Sequence, residues 1–360
     1  MSHLPKHFNR ESIDWTRVNR RHIHQPQEQD QHQNLRLQQQ TTVPEVTAPP
    51  PETPTIGLQQ GDLINCLSGR TYNVMKNISF GPYGAIFHIR ATWGNKAMYA
   101  LKEEKRHPNK NFFKLQMELK VLQAASGGTK EQQQHFPVLY DRSKESRSSM
   151  FIVMSLLGDS LADIKSQQPK KICSINTGLY CGIQMLEALQ HLHHLGIVHR
   201  DIKPSNFVLG RSKTSSQNIV HIIDFGNARK IVADDGRLEI PRTKASTVKF
   251  ASRAMHRGVE SGFKDDLECW IFSLADLMLR SNVPWRYETN VELVAEMKES
   301  VFQNTETLFP GQEFLELRQI MNYLNKKKYV DKMDYEWMYI MLKRVAKRKR
   351  CSLKEPFDWC

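Results

Sequence analysis

The sequence predicts an α+β protein of two lobes, a small β-rich one carrying a single helix and a larger α-helical one. Two observations carry this. Short β-rich runs separated by turn residues crowd residues 72–157, and helical periodicity takes over from Ser174 onward. A third sets the frame: the first 60 residues show neither pattern.

Those first 60 residues hold 10 Gln, 5 His and 7 of the 16 Pro, with six basic and six acidic side chains that cancel. Such a segment buries too little apolar surface to offset its ordering entropy, so residues 1–60 are expected to be a disordered Gln/Pro-rich tail. In the small lobe, Tyr72–Ile78, Ala85–Thr92, Lys96–Glu103, Val138–Arg142 and Met150–Leu156 read as strands. Leu115, Leu119 and Leu122 repeat at i, i+4, i+7 and mark the helix among them. Further on, Leu179, Ile183, Leu186, Leu189 and Leu192 share one face of a long helix that should stop near Gly196. Leu267–Leu279 is apolar nearly all round and should be a buried central helix. The expected divisions are the tail at 1–60, the small lobe with its hinge at 61–157, the large lobe at 158–350 and a C-terminal extension at 351–360.

The chain has 360 residues, enough for a sizeable core, and 51 Lys+Arg against 38 Asp+Glu give a formal charge of +13. No run approaches 18 uninterrupted apolar residues, and the start lacks the apolar core of a signal peptide, so neither a membrane span nor a leader is expected. The six Cys form no CxxC pair and no zinc-ligand spacing, which suggests reduced thiols in the cytoplasm or nucleus. The basic balance invites an acidic partner. Nucleic acid is disfavoured because no recognition module interleaves aromatic with basic residues.

The chemistry-bearing residues appear in a fixed order. His199-Arg200-Asp201-Ile202-Lys203-Pro204-Ser205-Asn206 follows the long helix, and Asp224-Phe225-Gly226 comes 23 positions after Asp201. Phosphoryl transfer needs a carboxylate to orient the incoming hydroxyl and hard oxygen ligands to hold Mg²⁺ against a triphosphate. Asp201 fits the first role, Asn206 and Asp224 the second. Upstream, Lys102 lies on a strand where it can reach phosphate, and Glu118 sits on the helix where it can pair with Lys102. Before them, Gly81 and Gly84 suit a loop whose backbone covers phosphates, although Ser79 replaces a first glycine and Pro82 removes an N–H donor.

Over about residues 70–350 these motifs resemble the eukaryotic protein kinase family. Met154-Ser155-Leu156-Leu157-Gly158-Asp159, Ser252-Arg253-Ala254, Asp265-Asp266-Leu267-Glu268, Pro284-Trp285 and Asp334-Tyr335 are similar to the casein kinase I group. Glu355-Pro356-Phe357-Asp358-Trp359 resembles the closing motif of its tau-tubulin kinase branch. The resemblance implies a serine/threonine kinase using ATP and Mg²⁺. Met154 would stand at the back of the pocket, Ser155 and Leu157 would hold adenine through their backbone, and Ile78, Ile86 and Ala100 would line it. Lys203 would neutralise the transferring phosphoryl group, and Asp266 would bond the backbone of the catalytic loop, an N-cap role being its alternative. His199 would be structural, packing on Phe225. Lys249, Arg253 and Thr247 would border the substrate groove.

The charge has addresses. Residues 229–257 carry a net +5 and residues 326–350 a net +7, so the tail contributes none of it. The first stretch lies beside the expected groove, which implies acidic or pre-phosphorylated protein substrates. A monomeric enzyme is expected. The competing expectation is a pseudokinase-like scaffold that binds without transferring.

Overall fold

The computed structural model describes residues 58–81, 84–106, 112–144, 148–232, 247–259 and 261–359. Most of the expected tail, Pro82 at the glycine-loop tip, and residues 233–246 of the basic stretch therefore lie outside the described residues.

The small lobe is a six-stranded antiparallel sheet of β1 (Leu63–Asn65), β2 (Thr71–Gly81), β3 (Gly84–Ala91), β4 (Met98–Lys105), β5 (Leu139–Arg142) and β6 (Ser149–Ser155), with α1 (Leu115–Ala125) and the short α2 (Lys130–Gln133) between β4 and β5. Its spatial order is β1-β2-β3-β4-β6-β5. The two-residue period of a strand decides what faces where. Leu101 and Val153 join Tyr72, Val74, Phe87 and Ile89 in a compact core on one face. Ala100, Ile152 and Met154 turn to the other, toward α1 and the large lobe. Lys102 shares that second face. Two residues on, Glu104 accepts the backbone N–H groups of Lys114 and Leu115 at 3.1 and 2.6 Å, satisfying donors that the first turn of α1 leaves open. Alternate residues of β4 thus set both the position and the pairing of α1.

The large lobe comprises α3 (Leu161–Gln167), α4 (Ile175–His194), α5 (Arg253–Arg257), α6 (Phe263–Met278), α7 (Val291–Gln303), α8 (Leu315–Lys326) and α9 (Tyr335–Arg348). Two short antiparallel pairs sit on its upper surface, β7 (Ile197–Val198) with β10 (Arg229–Lys230) and β8 (Phe207–Leu209) with β9 (Val220–Ile222). Every residue of α6 except Lys264 is buried, as its nearly continuous apolar pattern predicts. α4 approaches it closely because Gly178 and Gly182, one turn apart, face it. A Cβ on either would lie 2.1 Å from Met278 or 2.6 Å from Leu274. α4 ends before Gly196, whose φ of +72° suits the chain reversal into β7.

The closing segment docks back on α4. Phe357 stacks on Tyr180 with ring centroids 4.2 Å apart, and the Asp358 carboxylate accepts the Ser174 N–H at 2.7 Å. Trp359 donates its indole N–H to Asn218 at 3.0 Å. Sequence periodicity predicted β2–β6, α1, α4 and α6; it did not single out α7–α9, nor β1 and the two- and three-residue strands β7–β10, which are too short to show a period.

Candidate active site

The cleft between the lobes holds a cavity of about 820 Å³. Ile78, Gly81, Gly84, Ile86 and Ala100 line its small-lobe side, and Met154, Ser155 and Leu157 its back. Gly84 is tied to its place by space: a Cβ there would lie 2.6 Å from the carbonyl oxygen of Glu103 on the neighbouring strand. Apolar walls above and below with polar groups at one end suit a flat heterocycle bearing an anionic chain.

At the polar end, Lys102 Nζ lies 2.6 Å from Glu118 Oε2 and 3.0 Å from Asp224 Oδ1. Glu118 is buried on α1, so the ion pair holds the helix against the sheet. Burial works against the ammonium, but Glu118 and Asp224 outweigh it and raise its pKa above the ordinary lysine value. Burial likewise opposes the Asp224 carboxylate, and Lys102 outweighs it, lowering its pKa. Asp224 sits at φ 66°, in the left-handed region, where Asp is among the more tolerant residues. Phe225, next to it, packs against His199 and Phe136 at centroid distances of 5.4 and 5.9 Å and fixes the turn. His199 is fully buried, which is the structural role expected of it.

On the large lobe, Asp201 is the hub. Lys203 Nζ donates to its Oδ2 at 2.7 Å, the Thr247 hydroxyl donates to its Oδ1 at 2.8 Å, and Asn206 Nδ2 donates to its backbone carbonyl at 2.8 Å. With Nδ2 so engaged, the amide oxygen is the atom Asn206 has left for a cation, and Asp224 supplies a carboxylate in the same cavity. Two hard oxygens of this kind fit Mg²⁺. Among the described residues no three His, Cys, Asp or Glu side chains cluster as a metal cage.

The loop bearing Asp201 is anchored from below. Asp266 of α6 accepts the backbone N–H groups of His199 and Arg200 at 2.7 and 2.9 Å, and faces His193 Nε2 at 3.0 Å. Arg200 has φ 69°, a costly conformation for a bulky residue, retained because its N–H is captured here. Asp266 therefore bonds the loop backbone rather than capping its own helix; Asp265 does that, accepting the Gly262 N–H at 2.8 Å.

Two of the three residues expected at the substrate groove are engaged elsewhere. Arg253 is turned inward. Its guanidinium meets the buried Glu268 at 3.1 Å and Glu299 at 3.1 Å, and it lies 3.6 Å over the Phe302 ring. Lys249 faces the buried carboxylate of Asp276 at 2.6 Å, so its charge is already partly compensated. The family resemblance gave their addresses along the chain but not the direction of their side chains. Asp276 also takes Lys165 of α3 as a close partner, with Arg280 at 3.9 Å. The sequence reading missed Lys165, Asp276 and Arg280; an acid inside an otherwise apolar helix was the available signal.

The geometry has counterparts. A family model described as a protein kinase domain matches residues 72–252. Serine/threonine-protein kinase spe-6 of Caenorhabditis elegans is 30% identical over 305 residues, covering 81% of this chain and 76% of that relative. A second Caenorhabditis elegans relative, ZK507.1, is 30% identical over 264 residues, 72% of this chain and 78% of its own length. The solved structure of vaccinia related kinase 3 superimposes with a TM-score of 0.70 at 18% identity, covering 84% of this chain and 95% of that one, which speaks to the fold. Half of the chain answers to the family model and most of it to the relatives: this chain belongs to the serine/threonine protein kinase family.

Proposed function

We propose that the chain is an active kinase that transfers the γ-phosphoryl group of ATP, with Mg²⁺, to serine or threonine of acidic or pre-phosphorylated protein. We place it in the casein kinase I group, near the tau-tubulin kinase branch. The observation that carries the activity is the state of Asp201: its two carboxylate oxygens are separately engaged by Thr247 and Lys203, with Lys102 and Glu118 paired across the cleft.

Asp201 orients the substrate hydroxyl and receives its proton as the new oxygen–phosphorus bond forms. The bond from the γ-phosphorus to the β–γ bridging oxygen breaks, and ADP leaves with that electron pair. Lys203 offsets charge on the equatorial oxygens, and Lys102 holds the remaining phosphates. Bound at Asn206 and Asp224, Mg²⁺ would supply charge neutralisation of the triphosphate. Adenine would lie between Ile78, Ile86 and Ala100 above and Val208 and Ile223 below, against Met154 and the Ser155–Leu157 backbone.

Support for an acidic substrate comes from Asp276. One buried carboxylate faces Lys165, Lys249 and Arg280, so three basic side chains share a single anion there. Burial lowers the Lys165 pKa against the pull of Asp276, with smaller contributions from Lys249 and Arg280. Among the described residues no helix is long and apolar enough to cross a membrane. Cys66, Cys173, Cys181, Cys269 and Cys351 are free thiols, in keeping with the reducing cytoplasm or nucleus.

Transfer of labelled phosphate from ATP to acidic, pre-phosphorylated and neutral peptides tests the reading. Asp201→Asn should lower kcat by roughly 10³-fold with ATP affinity little changed. Equal labelling by both proteins would defeat the role of Asp201. Binding of Mg·ATP with no transfer to any peptide would establish the scaffold alternative. Neutral peptides labelled as well as acidic ones would remove the substrate preference.

A further inference from the structure

α7 presents Val294, Lys298, Val301 and Phe302 to the interior. Lys298 is fully buried, and no carboxylate bonds it. Its ammonium donates to the carbonyl oxygens of Val248 and Ala251, both at 2.7 Å, and contacts His256 Nε2 at 3.0 Å. The Phe272 and Trp285 rings flank it, with centroids at 5.0 and 5.3 Å. Trp285 itself donates its indole N–H to the carbonyl of Lys249 at 2.8 Å. Three carbonyls within four residues are therefore held from beneath by one ammonium and one indole. Above them, Thr247 O receives the N–H groups of Phe250 and Ala251 at 3.1 and 3.0 Å, and the Thr247 hydroxyl reaches Asp201.

Burying an ammonium without an acid partner is costly, and an apolar side chain would fill this cage at less cost. What an apolar side chain could not do is satisfy two inward-turned carbonyls. The geometry points to Lys298 as a positioning residue for phosphoryl transfer, one that pins segment 247–252 and through Thr247 sets the carboxylate of Asp201 toward the incoming hydroxyl. This rests on the kinase reading above and adds that peptide and nucleotide are positioned by separate devices. None of these partners of Lys298 lines the nucleotide cavity, and the two carbonyls it holds belong to segment 247–252. A neutral amine keeps two N–H donors, so the pin persists whichever protonation state Lys298 adopts.

Lys298→Met, which keeps length and removes the donors, tests this in the full chain. Hydrogen exchange at the Phe250 and Ala251 amides should accelerate by ~10-fold or more while amides of α4 hold their rate. In peptide assays kcat/KM should fall ~10- to 100-fold with the dissociation constant for Mg·ATP unchanged within about twofold. Unchanged exchange at segment 247–252, or nucleotide affinity falling in step with peptide turnover, would overturn the assignment. Should Lys298→Met not fold, Trp285→Phe removes the neighbouring pin and should show the same split at ~3-fold; equal loss toward both substrates counts against it. Exchange needs no catalysis, so an inactive wild-type protein would end the activity proposal while leaving the pin to be judged on its own.

Discussion

Two buried charges of opposite sign hold the two backbone segments that meet at Asp201. Asp266 on α6 gathers N–H groups from the loop bearing Asp201, and Lys298 on α7 gathers carbonyls from segment 247–252. Both are almost wholly buried, yet their surroundings treat them differently. Burial opposes the Asp266 carboxylate, but its bonds to His193 and to the loop backbone outweigh that and keep its pKa below the usual value. For Lys298 burial wins, and its pKa is lowered to about 7 against the pull of Cys269 and Glu268. Converging N–H dipoles and a histidine sustain an anion; two carbonyls and a histidine do not fully sustain a cation. The loop bearing Asp201 is thus held by a carboxylate that keeps its charge, segment 247–252 by an ammonium close to losing its proton.

The largest expected break is on the anionic side. Asp266→Ala leaves the His199 and Arg200 N–H groups unpaired beneath the site and should destabilise the protein by about 3–5 kcal/mol, with kcat down by about 10²-fold. Urea unfolding and peptide turnover measure both. Lys298→Met should cost less, about 1–3 kcal/mol, because it also relieves the burial of an ammonium. If the order of the two losses were reversed, the contrast drawn between the two anchors would be wrong.

Their pH windows should also be opposite. Asp266 has a depressed native pKa, so its contribution is present above the unfolded value of 3.8 and is lost as pH falls through the native value. Lys298 has a native value of about 7 against 10.5 unfolded. Between those limits the unfolded chain binds the proton that the native one has released, so its contribution to stability rises with pH. The groups facing it are His256 from α5 and Glu268 and Cys269 from α6; His256 has its own pKa lowered to about 4 by burial and by Lys298, so it is neutral across this window. The stability of wild type relative to Lys298→Met should therefore grow by about 2 kcal/mol from pH 7 to 9. A difference that stays flat over that range would show that Lys298 remains charged.

The sequence made much of this readable, and physical reasons account for the remainder. Long strands and helices declare themselves by period, and Lys102, Glu118, Asp201, Asn206 and Asp224 by their order, so the cleft and its polar end could be drawn before any coordinates. Arg253 and Lys249 show where such reasoning stops. A basic residue near a groove is equally compatible with facing an anion outside or a carboxylate inside, and here Glu268 and Asp276 took them. Lys298 was legible in principle. Val294, Val301 and Phe302 place it on the apolar stripe of an amphipathic helix, where a lysine is a contradiction that calls for buried acceptors. Which acceptors these are depends on a segment more than 40 positions away, and no local pattern encodes that.

The smallest expected effect tests whether the two anchors are independent. Tyr335 of α9 bonds His193 Nδ1 through its hydroxyl, and His193 in turn faces Asp266. Burial pushes the tyrosine pKa upward, so the hydroxyl stays protonated and can donate. Tyr335→Phe keeps the ring and leaves the buried Nδ1 without that donor, which should cost about 1 kcal/mol and lower kcat about threefold with nucleotide affinity unchanged. Because the Tyr335–His193–Asp266 chain and the Lys298 cage share no bonded partner, the double variant Tyr335→Phe/Lys298→Met should be additive within about 0.5 kcal/mol. A coupling above about 1 kcal/mol would show that loop and segment are positioned as one unit, with Asp201 as the place where they join.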